Sequence, residues 1–115
     1  MTTETFFRRP DGFLTGFKAT GHADYAEYGS DIVCAAISAL TQGIAQGILK
    51  VAKAKAQVKT DEESGLFDLK LESGQDEETL RSAQLLLKTL ELSLTALSQD
   101  ANYSRNIRII TRERR

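Results

Sequence analysis

The chain alternates between two hydrophobic periods, one of two residues and one of three to four, and each change of period predicts an element. "TETFFRR" is rich in strand formers, and "FLTGFKAT" alternates partly between apolar and polar. Pro10-Asp11-Gly12 between them reads as a tight turn, because proline presets φ and glycine accepts φ > 0. From residue 31 the period lengthens. Val33, Ile37, Leu40, Ile44 and Ile48 recur at spacings of three and four, the core stripe of a helix, with Ser30 or Asp31 as its expected cap. In "VAKAKAQVK" (51–59) Ala52, Ala54, Ala56 and Val58 alternate with Lys53, Lys55, Gln57 and Lys59, which predicts a strand. After the turn-like "TDEESG", "LFDLKLE" has the same period, with Phe67, Leu69 and Leu71 inward, and the two stretches read as a hairpin. Residues 76–99 form the clearest helix pattern, with acids in the first turn and Leu80, Ala83, Leu87, Leu90, Leu94 and Leu97 on one face. "YSRNIRIITR" reads as a last short strand.

The predicted order is strand-strand-helix-strand-strand-helix-strand. Its economical packing is α+β in two layers, a largely antiparallel sheet covered by two helices. The 115 residues suit one domain spanning 1–115, long enough to bury a core without staples. A net charge of −1 gives no whole-molecule attraction to nucleic acid or to an anionic membrane, so neither is an expected partner. Arg105, Arg108, Arg112, Arg114 and Arg115 concentrate positive charge near the C-terminus, which reads first as a solvated strand edge and tail. The N-terminus shows no signal-peptide pattern, no unbroken apolar run of about 18 residues suggests a membrane span, and the one cysteine forms no internal disulfide. A cytoplasmic location is the resulting expectation.

The candidate chemistry sits in "GHADYAEYGSDIVCAAISAL", residues 21–40, which holds the only histidine and the only cysteine. Cys34 falls at a flank of the apolar stripe, with Asp31 three residues before it and Ser38 four after. A cap at Ser30 or Asp31 would put the thiol at the end of the first turn, where the helix dipole favours thiolate by about 0.3–1 kcal/mol. A protonated His22 in contact would do far more. Gly21 would permit an unusual turn at the strand end. Tyr25 and Tyr28, with Gly29 as hinge, read either as a lid over a peptide or as local core. One Cys, one His and one Asp make a poor metal site, and no phosphate loop, carboxylate pair or RNA-binding aromatic signature is present, so no metal and no cofactor is expected. On these residues, a thiol hydrolase competes with a buried structural cysteine.

The stretch from Gly21 to Leu40 resembles the GHA…GxDIVCAA…S signature of the ribosomal-processing cysteine proteases, the Prp family. The likeness extends over the chain, through "GFKAT", the leucine-rich second helix and "YSRNIRI". The resemblance implies a small dimeric thiol peptidase that removes a short N-terminal extension from a large-subunit ribosomal protein, cutting after paired aromatic residues. It implies Cys34 as nucleophile and His22 as base and later acid, with Gly21, Asp31 and Ser38 in supporting positions. It implies as partners that ribosomal N-terminal segment and a second copy of the chain. The alternatives are a non-enzymatic ribosome-associated or assembly protein and a thiol redox sensor.

Overall fold

The computed structural model describes residues 1–21 and 28–113, with residues 28–31 described by their backbone alone. Strands β1 (Thr2–Arg8) and β2 (Leu14–Thr20) precede helix α1 (Tyr28–Gln46), which runs into a π-helical turn at Gly47–Val51. Strands β3 (Ala56–Asp61) and β4 (Leu66–Leu71), helix α2 (Glu77–Gln99) and strand β5 (Ile107–Glu113) follow. The five strands form one sheet in the order β3-β4-β2-β1-β5. All pairs are antiparallel except β1 with β5. This is the predicted α+β class with the predicted order of elements.

Residue parity decides which side of the sheet is covered. Phe6, Phe17 and Leu69 stand in one cross-strand row and are fully buried. Val33, Ile37 and Ala45 from α1 and Ile48 from the π turn join that core, as do Ala83, Leu87, Leu90 and Leu94 from α2. Phe17 stacks on Phe67 with 5.9 Å between ring centroids, which carries the apolar row toward the hairpin. By length and mean hydropathy, 1.7, Ile32–Val51 could cross a bilayer; here one side of it packs into the core.

The helix ends have local causes. Asp76 accepts from the Thr79 N–H at 2.7 Å and caps α2, which holds its carboxyl below the usual range. Tyr28 begins α1, so neither Ser30 nor Asp31 is the cap that the sequence suggested. The predicted strand over 51–59 also changes. Ala52 donates to the Gly47 carbonyl across the π turn, and Lys53 takes a positive φ of 56° to reverse the chain. Strand β3 starts only at Ala56, and the alternation of Ala52 and Ala54 belongs to the helix end and the reversal. Across the hairpin Lys59 faces Asp68, and Lys70 faces Gln57.

Candidate active site

The first two strands, α1 and the β3–β4 hairpin enclose a cleft of about 540 Å³. Cys34, Ser38 and Thr41 line it from α1, at spacings of four and three, so they form one row on the helix. Thr2, Glu4, Ala19 and Gly21 contribute from the sheet side, and Asp61, Glu62, Leu66 and Phe67 from the hairpin. The Cys34 thiol is half-buried, between the apolar stripe and the cleft. The structure therefore brings Cys34, Ser38 and Gly21 together, three of the residues singled out from the sequence.

Gly21 is demanded by geometry. Its φ is +88°, a region L side chains rarely adopt, and a Cβ there would lie 2.4 Å from the Met1 carbonyl oxygen. Its N–H donates to the Ser64 carbonyl at 3.0 Å. The residue just before His22 is thus tied to the chain start on one side and to the hairpin on the other. His22 and Tyr25 lie outside the described residues, and so does most of the expected lid. Tyr28 and Gly29, expected in that loop, have helical backbone in the first turn of α1. The Asp31 backbone is helical as well.

The earlier helix start changes the electrostatics. Cys34 is the seventh residue of α1, not the end of its first turn. The N–H groups left without intrahelical acceptors belong to the first four residues, a turn before the thiol. Dipole stabilisation of a thiolate, which fades within that first turn, is correspondingly smaller at Cys34.

Glu4 was not singled out from the sequence. Alternation along "TETFF" places it on the same face as Phe6, a signal that a buried acid was coming. Its side chain has no exposed surface, and burial pushes its pKa up to about 8, with the Thr41 hydroxyl pulling weakly the other way. Among the described residues no group of His, Cys, Asp and Glu is arranged to hold a metal ion.

A two-layer α+β fold with a half-buried thiol at the wall of a peptide-sized cleft defines a candidate cysteine hydrolase. The family model for cysteine protease Prp matches residues 1–108, and the chain belongs to that family. The ribosomal processing cysteine protease Prp of Bacillus subtilis (strain 168) is 32% identical over 111 residues, 96% of this chain and 97% of that protein. The protein of that name from Staphylococcus aureus is 33% identical over 110 residues, covering 95% and 97%. Among solved structures, the S. aureus Prp in complex with a substrate peptide aligns with a TM-score of 0.82 at 29% identity, over 97% of this chain and 100% of that one. Its complex with a covalently linked product peptide aligns with a TM-score of 0.80 at 31% identity, again over 97% and 100%. A Streptococcus mutans protein aligns at 0.82 and 30% identity, over 99% of this chain and 96% of that one.

Proposed function

We propose that this protein is a cysteine endopeptidase that removes a short N-terminal extension from a large-subunit ribosomal protein, cutting after paired aromatic residues. The observation that carries the reading is that Cys34 and Gly21, brought from different elements, line one cleft, and Gly21 is the residue before His22. The relatives' function and the S. aureus peptide complexes support the same class of reaction. Phe67, stacked on Phe17 and lining the cleft, offers an aromatic surface suited to aromatic substrate side chains.

In this reading His22 takes the thiol proton and Cys34 sulfur attacks the scissile carbonyl, forming a C–S bond. The C–N bond then breaks as His22 gives the proton to the leaving amine, and water hydrolyses the thioester to the acid and free thiol. First-turn N–H groups of α1, which include those of Tyr28 and Gly29, are oxyanion donors in this scheme, with Asp31 and Ser38 as supporting groups and Tyr25 in the lid. The enzyme acts in the cytoplasm, where its thiol stays reduced, and as a homodimer. The dimer reading is favoured by the outer side of α1, where Ile32, Ala35, Ala36, Ala39 and Gly43 are all exposed.

Wild type, Cys34→Ala, Cys34→Ser and His22→Ala are compared on a peptide carrying two adjacent phenylalanines followed by a small residue, with products read by mass. The expected result is cleavage after the phenylalanines by wild type and a loss of at least about 10³-fold in each variant. Folded wild type that binds the peptide and never cuts it would overturn the protease reading in favour of a binding protein.

A further inference from the structure

The cleft contains an acid for which the cysteine chemistry has no use. Glu4 projects from β1 toward α1, is fully buried, and forms part of the cleft wall. Its Oε2 accepts from the Thr41 hydroxyl at 3.5 Å, the outer limit of a hydrogen bond, and its Oε1 has no hydrogen-bond partner among the described residues. Burying an acceptor in that state is unfavourable, and an occupant bringing donors removes the deficit. Asp61 and Glu62 add carboxyls from the hairpin, and among the described residues lining the cleft there is no Lys or Arg. Among the described residues, the charged side chains that line this space are these three acids.

We propose that Glu4 is a specificity-determining residue, through which the cleft selects a lysine or arginine side chain of the bound peptide. The proposal rests on reading the cleft as the peptidase site. Thr41 follows Cys34 by seven residues, about 10 Å along the helix axis. An extended peptide advances about 3.3 Å per residue, so the selected cation lies about three residues from the scissile bond. The occupant's N–H groups replace the weak Thr41 contact and reach the unpartnered oxygen, a hydrogen bond that a neutral aliphatic side chain cannot make; a cation held there draws the Glu4 carboxyl back toward its ionised form, and the proton that burial had kept on it leaves to solvent.

Binding decides this without requiring turnover. In the Cys34→Ala protein, anisotropy titrations use fluorescent peptides with an aromatic pair and a single lysine. The lysine is walked over the four positions on each side of the cut and compared at each with norleucine. At one position the lysine peptide is expected to bind about tenfold more tightly, and Glu4→Gln in the same background brings the two within about threefold. Equal affinities at every position, or a lysine preference that survives Glu4→Gln, overturn the proposal, as does failure of both peptides to bind. The comparison with Glu4 intact decides the question even where a Glu4 variant does not fold. Cleavage of the same peptides by the Cys34 protein is scored separately, so loss of the protease reading and loss of the subsite give different results.

Discussion

Burial at Glu4 links its ionisation to the stability of the whole chain. Its folded pKa, near 8, lies above the ordinary 4.5, so the folded state keeps a proton that the unfolded chain releases first. Glu4's contribution to stability is therefore complete below about pH 4.5 and is lost as pH rises through about 8. The groups facing it do not reverse that sign. Thr41 donates only weakly, Ala19 and Ile109 are its apolar neighbours in the sheet, and Asp61 and Glu62 across the cleft would oppose a second negative charge. Glu4→Gln should therefore gain on wild type as pH rises, by roughly 1 kcal/mol per pH unit inside that window. Urea denaturation of both proteins at pH 5, 6.5 and 8 checks this; a constant difference would mean that Glu4 titrates normally. Gly21 makes the complementary case, where backbone geometry leaves no room. Gly21→Ala should cost about 2 kcal/mol or more, from positive φ and from overlap with the Met1 carbonyl, with peptide cleavage falling as the cleft wall shifts.

At the level of elements, one side chain repairs a defect in the sheet. The register between β1 and β2 shifts between Phe7 and Arg8, and Leu14 sits at that irregularity. The Gln84 amide of α2 takes both of Leu14's backbone groups, accepting from its N–H at 2.8 Å and donating to its carbonyl at 2.9 Å. Gln84→Leu keeps the volume and abandons two buried backbone groups, so it should cost about 2–4 kcal/mol in urea unfolding; a loss under about 0.5 would deny the clamp any structural weight. Periodicity could not reveal this, because Gln84 falls among the buried positions of the second helix as a polar exception, and its partner lies 70 residues away. The elements made by strong local patterns were legible: the first hairpin, the leucine face of α2, the inward Phe67, Leu69 and Leu71. The region 51–55 was not. Alanine and lysine alternate there by composition, while the π turn and the positive φ of Lys53 answer to tertiary packing that a local period does not encode. In the site, Cys34, Ser38 and Gly21 were legible from type and spacing, and Glu4 was overlooked because an acid within a strand pattern reads as solvent-facing until its parity is compared with Phe6.

On the scale of the whole molecule, the same helix that carries the nucleophile presents an unusual outer surface. No charged residue occurs between Asp31 and Lys50, and Ile32 is 56% exposed. Gly43 of α1 and Gly47 of the π turn that follows it have different surroundings. A Cβ at Gly47 would meet the Leu86 side chain at 3.3 Å, so Gly47 is accounted for by packing against α2. A Cβ at Gly43 would meet nothing within 4 Å among the described residues, so their packing gives no reason for a residue that weakens a helix by about 1 kcal/mol relative to alanine. Gly43 lies on the row of Ile32, Ala36 and Ala39, and small residues in such a row let a second backbone approach closely. A dimer packed through this row would bury apolar surface that one chain alone leaves in water, and it would hold both copies of Cys34 on helices fixed against each other. Sedimentation equilibrium should then return twice the 12.7 kDa chain mass for wild type. Ala39→Glu should shift it to the single-chain mass, since a carboxylate in that row would be desolvated without a partner. Helical content by circular dichroism should stay the same, because residue 39 is exposed within each chain. A wild type that sediments as a single chain across the micromolar range would remove the dimer, and Gly43 would then require a reason within the monomer: in that case Gly43→Ala should raise stability by about 0.5–1 kcal/mol with nothing lost.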